Sequence, residues 1–105
     1  MNLIISGRQT GKTKKLIEAC SNDRYSLIVC PTRAMCECTF HMAKEMGMYI
    51  PMPITFGEFA NRQFCGKHIE NFYFDELQMS LEMIAGGVNI KDITLDEDRV
   101  KIAHV

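Results

Sequence analysis

Residues 26–30 read Ser-Leu-Ile-Val-Cys, a continuous apolar run closed by Pro31. The run is too short for a helix and has no polar alternation, which suits a strand covered on both faces inside a sheet. Pro31 lacks the N–H that a ladder needs and stops the strand. The rest of the chain supplies the covering layers. Residues 2–6 (Asn-Leu-Ile-Ile-Ser) are a second short apolar strand, and from Lys12 a helical pattern places Leu16, Ile17 and Cys20 on one face. Residues 33–46 repeat Ala34, Cys38, Met42 and Met46 at every fourth position, with Gly47 placed for a C-terminal cap. Pro51 and Pro53 hold the following segment extended.

Thr55 then opens a capping-box spacing with Glu58, predicting a short helix to about Phe64 that turns Phe56, Phe59, Ala60 and Phe64 to one side. Residues 69–74 read as a strand and 76–85 as a helix ending at Gly86 and Gly87. The last segment reads as two strands around the polar turn Asp96-Glu97-Asp98, a C-terminal β-hairpin. Strands alternating with helices predict an α/β fold, a three-layer sandwich on a mainly parallel sheet. Residues 1–105 are expected to form a single domain.

Composition narrows the class. Apolar residues make up 47% and charged residues 24%, as in a soluble globular protein, and no apolar run approaches a membrane span. The N-terminus has no signal-peptide pattern, so the cytoplasm is the expected compartment. Five cysteines (Cys20, Cys30, Cys36, Cys38 and Cys65) show no Cys-x-x-Cys spacing, which argues against a zinc site or disulfide framework. Cys20 and Cys30, among apolar neighbours, are expected as buried thiols. Net charge is −1, yet residues 1–67 carry nine Lys/Arg against five Asp/Glu, and residues 68–105 carry three against eight. A basic half favours a phosphate-bearing ligand, although solvated helix faces would give the same pattern.

Between the first strand and first helix lies Ser6-Gly7-Arg8-Gln9-Thr10-Gly11-Lys12-Thr13, followed by Lys14. A strand, a glycine-bearing turn and a helix N-terminus present backbone N–H groups and the positive end of a helix dipole to an anion. In this spacing Lys12 reaches the β- and γ-phosphates and the Thr13 hydroxyl holds Mg2+. Ser6 stands where the usual pattern has glycine. Arg8 contacts phosphate or a partner, or points to solvent.

A phosphate loop needs a metal-side carboxylate, and Asn-Phe-Tyr-Phe-Asp-Glu-Leu (71–77) places one at a strand end. Asp75 is positioned to hold Mg2+, and Glu76 to accept a proton from an attacking water. An acidic turn that only complements the next helix dipole is the plainer alternative.

With both motifs in place the chain resembles the RecA-like P-loop NTPases that carry an added catalytic glutamate. Within them it is most similar to the first lobe of a superfamily-1 or superfamily-2 helicase. SGRQTGKT corresponds to motif I, VCPTRAM is similar to motif Ia, ITFGEFA to motif Ib, and DELQ matches motif II. The resemblance covers about residues 1–85 and extends to small P-loop proteins of bacteriophages and mobile elements. It implies ATP or another nucleoside triphosphate with Mg2+, nucleic-acid contact through Thr32 and Arg33, and coupling through Gln78. It also implies a second lobe that supplies arginines, and no sequence here corresponds to one. Loss of an arginine finger costs roughly 10³–10⁵ in rate in comparable NTPases. A homo-oligomer or larger partner would have to supply it, with Arg8, Arg24, Arg33, Arg62 and Arg99 as candidates in trans.

Three functions compete. One is an ATP–Mg2+-binding NTPase, weak or dependent on assembly, linked to nucleic-acid processing. Another is a non-catalytic nucleotide-binding module that regulates or interferes with a larger host or phage machine. A nucleoside kinase, which shares the D-E-x-Q pattern, ranks last because no substrate lasso or paired zinc cysteines are present.

Overall fold

The computed structural model describes residues 1–7 and 11–104. Its order is β1 (Asn2–Ile5), α1 (Lys12–Ser21), β2 (Ser26–Cys30), α2 (Arg33–Glu45), β3 (Ile54–Thr55), α3 (Phe56–Ala60), β4 (Asn71–Phe74), α4 (Leu77–Ile84) and β5 (Lys101–His104). Among the described residues every strand pairing is parallel, so the fold is α/β with parallel sheets and helices. The strands fall into two sheets, β3-β2-β4 and β1-β5.

β2 is the centre of the larger sheet and is buried along its whole length. Its alternate side chains feed two cores. Ile28 and Cys30 face α1 and α2, joining Ile17, Cys20, Cys36, Ala43 and Ile50. Leu27 and Val29 face the other way, against Ile54 and a layer of phenylalanines. The register Leu27↔Phe72, Ile28↔Tyr73, Val29↔Phe74 carries the same alternation into β4. Phe59 anchors the aromatic side, with edge-to-face contacts to Phe72 at 5.0 Å and Phe74 at 4.8 Å between ring centroids. Such contacts add about 0.5–1.5 kcal/mol per pair beyond area burial.

The helix ends follow local chemistry. Thr32 caps α2, its hydroxyl accepting from the Met35 N–H at 3.1 Å. Gly47, at φ 70°, closes α2 with paired bonds, Met48 N–H to the Ala43 carbonyl and Gly47 N–H to that of Lys44. Thr55 and Glu58 form the full capping box of α3.

Three expectations need correction. The core-facing stripe of α2 is Cys36, Thr39 and Ala43, whereas Ala34 and Cys38 are exposed. A strict four-residue step turns about 400°, so it drifts off a helix face by about 40° per repeat. The α3 helix stops at Ala60, which is exposed, and residues 61–66 continue as turns. The C-terminal hairpin is absent among the described residues: 88–100 contain no strand, and β5 pairs in parallel with β1. Antiparallel return is replaced by pairing at the opposite end of the chain, with Lys101 N–H donating to the Met1 carbonyl at 3.0 Å.

Among the described residues no helix is long and apolar enough to cross a membrane. All five cysteines are free thiols; Cys20, Cys30 and Cys36 are buried, and Cys38 and Cys65 are exposed.

Candidate functional site

The site assembles where β1 and β4 end and α1 and α4 begin. Gly11 takes φ 80° as the N-cap of α1, a left-handed turn that glycine adopts without a side-chain clash. That turn sets Lys12 and Thr13 on the first helical turn. From the other side, β4 delivers Asp75 and Glu76, and Asp75 is anchored by its N–H donating to the Val29 carbonyl at 3.0 Å. Glu76 sits at φ 52°, ψ 51° as the N-cap of α4. A left-handed glutamate costs roughly 1–2 kcal/mol relative to the right-handed form, and such strain concentrates at functional sites.

The two halves meet directly. The Thr13 hydroxyl donates to Asp75 Oδ2 at 2.9 Å, and Lys12 Nζ lies 3.0 Å from Glu76 Oε1. Gln78 Nε2 donates to the second oxygen of the same glutamate. One carboxylate thus links the loop lysine to the start of α4. Asp75 is 5% exposed, and burial pushes its carboxyl above the usual aspartate range. The Thr13 hydrogen bond and Lys12 oppose that rise, while neighbouring Glu76 adds to it.

A cleft of about 1050 Å³ opens over this cluster, with Ser6, Gly7, Gly11, Lys12 and Thr13 on its loop side. Glu76 and Gln78 line the α4 side. Motif reading missed the rest of its wall: Met35 and Met42 from α2, and Met79 and Glu82 from α4. Their signal was available in helical spacing, since positions 35 and 42 lie two turns apart and 78 and 82 one turn apart. Lys14 also borders the cleft. Arg8, Gln9 and Thr10 lie outside the described residues.

The oxygens of Thr13 and Asp75 are hard donors suited to Mg2+. Among the described residues no cluster of three or more His, Cys, Asp or Glu could hold a metal. That donor set fits an ion that arrives with phosphate oxygens and keeps water, as Mg2+ does, and not an all-protein cage.

Thr32 and Arg33 are held elsewhere. Thr32 is the α2 cap, and the Arg33 guanidinium pairs with Glu58, the residue that completes the α3 capping box. No arginine among the described residues lines the cleft. Searches of family models, curated proteins and solved structures gave no match to this chain.

Proposed function

We propose that the chain is a P-loop protein that binds a nucleoside triphosphate with Mg2+ in the cleft between α1 and α4, on a minimal three-layer core of that type. One observation carries the reading. Lys12 and Thr13 meet Glu76 and Asp75 at 3.0 and 2.9 Å, although more than sixty residues separate the two pairs in sequence. Lysine, hydroxyl, buried aspartate and adjacent glutamate are the four groups that triphosphate chemistry asks of a site.

Each has a distinct task. The α1 N-terminus and Lys12 bind the phosphates, with Lys12 exchanging the Glu76 carboxylate for a γ-phosphate oxygen. Thr13 and Asp75 would hold the metal, which would neutralise charge developing on the phosphoryl oxygens. Glu76, released by Lys12 and oriented by Gln78, accepts a proton from the attacking water. Linkage to nucleic-acid processing, with arginines supplied in trans by a second copy or larger partner, belongs to the same proposal.

A second reading is a non-catalytic nucleotide-binding module that regulates a larger machine. It is favoured by the absence of arginine from the cleft lining among the described residues.

Multiple-turnover ATP hydrolysis with and without single- or double-stranded DNA separates the two. Glu76→Gln should abolish turnover and retain ATP–Mg2+ binding. Lys12→Ala should weaken binding about 10- to 100-fold, the value of one charge-assisted hydrogen bond. Binding without Glu76-sensitive turnover in any condition selects the regulatory module. Unchanged affinity in Lys12→Ala rejects the phosphate site itself.

A further inference from the structure

At the opposite end of the larger sheet, below the first residues of β2 and β4, is a second cavity of about 560 Å³. It is formed by the α1–β2 turn, the segment after α2 and the approach to β4. Its floor is apolar, with Cys20 and Leu27 both buried. Its rim is aromatic and cationic: Tyr25, Tyr49, Arg24, Lys67 and His68.

The rim is ordered by specific contacts. Tyr25 and His68 stack with ring centroids 4.1 Å apart and planes at 9°, and the Arg24 guanidinium lies 5.0 Å from the Tyr25 centroid. Tyr25 holds φ 64°, where glycine or asparagine would be less strained, so the turn retains an aromatic ring despite its backbone cost. The acid in the lining is already engaged: Asp23 accepts from the Tyr73 hydroxyl at 2.7 Å and from Asn71 Nδ2 at 3.2 Å. Glu70 lies 3.5 Å from His68 Nε2. Arg24 and Lys67 line the same cavity as the rings. Tyr49 is 82% exposed at the rim, an aromatic face turned to water.

We propose that this cavity binds a nucleotide unit, with the base against Tyr49 and the Tyr25–His68 pair and the phosphate between Arg24 and Lys67. Stacking platforms beside cations are the chemistry by which single strands are held without sequence readout. The volume falls within the range of small-molecule pockets, so a free mononucleotide and one unit of a strand present the same groups. The proposal is independent of the triphosphate cleft, which lies at the other end of the strands.

Aromatic NMR resonances of Tyr49 and His68 would be followed while titrating a thymidylate decamer or thymidine monophosphate, both without Mg2+ or triphosphate. Either probe should shift both resonances. A far tighter decamer assigns the strand as the source, and equal affinities assign the free mononucleotide. Tyr49→Ala should weaken binding about five-fold or more, the value of one base stack. Because Tyr49 is exposed, this truncation leaves the core intact. Lys67→Gln should flatten the dependence of log affinity on log salt by about 0.7, as for one lost phosphate contact on a single strand. Lys12→Ala should change neither result. No shift with either probe at millimolar concentration overturns the proposal, as does binding that survives Tyr49→Ala and vanishes in Lys12→Ala.

Discussion

Asp75 is the residue on which stability and the proposed metal binding pull in opposite directions. Burial raises its native carboxyl value above that of the unfolded chain, so the folded state holds this proton more tightly. This group therefore favours folding at low pH and becomes unfavourable as pH rises from about 3.9 through its raised native value. Asp75→Asn keeps an acceptor for Thr13 and removes the charge. Its Tm at pH 7, without ligand, should exceed the parent's, and Mg2+ should no longer tighten nucleotide binding; a lower Tm with intact Mg2+ dependence would contradict both roles. The thiols give a second residue-scale expectation. Desolvation pushes Cys30 up to about 12 and raises Cys20 and Cys36, so all three are protonated and covered at neutral pH. Alkylation followed by mass spectrometry should modify Cys38 and Cys65 quickly, and the other three only after unfolding.

Among the elements, α3 is short enough to depend on its cap. Thr55→Ala removes the hydroxyl that accepts from Glu58 N–H and should cost about 1 kcal/mol, a Tm fall of roughly 4–8 °C. Glu58→Gln should cost less in thermal unfolding. It retains a carbonyl for the Thr55 N–H and loses only the ion pair to the half-exposed Arg33, worth under about 1 kcal/mol. The elements also show what sequence could convey. The β2 run, the Thr55 cap and the loop–helix junction at Lys12 were legible because each depends on neighbours in sequence. So were Asp75 and Glu76, set by a strand end. The engagement of Arg33 by Glu58 was not, since it depends on how α2 and α3 dock. Residues 88–95 carry Val88, Ile90, Ile93 and Leu95, a pattern that suits a strand, yet no ladder forms there. Tertiary context decided that segment, as it commonly does for strands.

Across the whole molecule, burial is uneven. β2 and its neighbours on α1 and α2 form the dense region. Met83, Ile84, Val88, Ile93, Leu95 and Ile102, by contrast, are each more than half exposed. Local opening should follow that division. Hydrogen exchange should be slowest for β2 and the adjoining face of α2, and faster for α4 and β5. ATP–Mg2+ should then slow exchange around residues 11–16 and 75–80, if the cleft joins α1 to α4 through ligand. Uniform protection across the chain would remove this picture of a firm centre and a loosely covered flank.

The pairing of β1 with β5 has a consequence in time. Asn2 stands opposite Lys101 in the register, so β1 waits for a partner that is made much later in the same chain. At about 5–20 residues per second, that interval is several seconds or more. Meanwhile β2, β3 and β4 already have one another, and the nascent chain can settle its centre while Leu3 and Ile4 remain without their ladder. Synthesis thus exposes an apolar strand early, beside the turn at Gly11, and completes that edge only once β5 has been made.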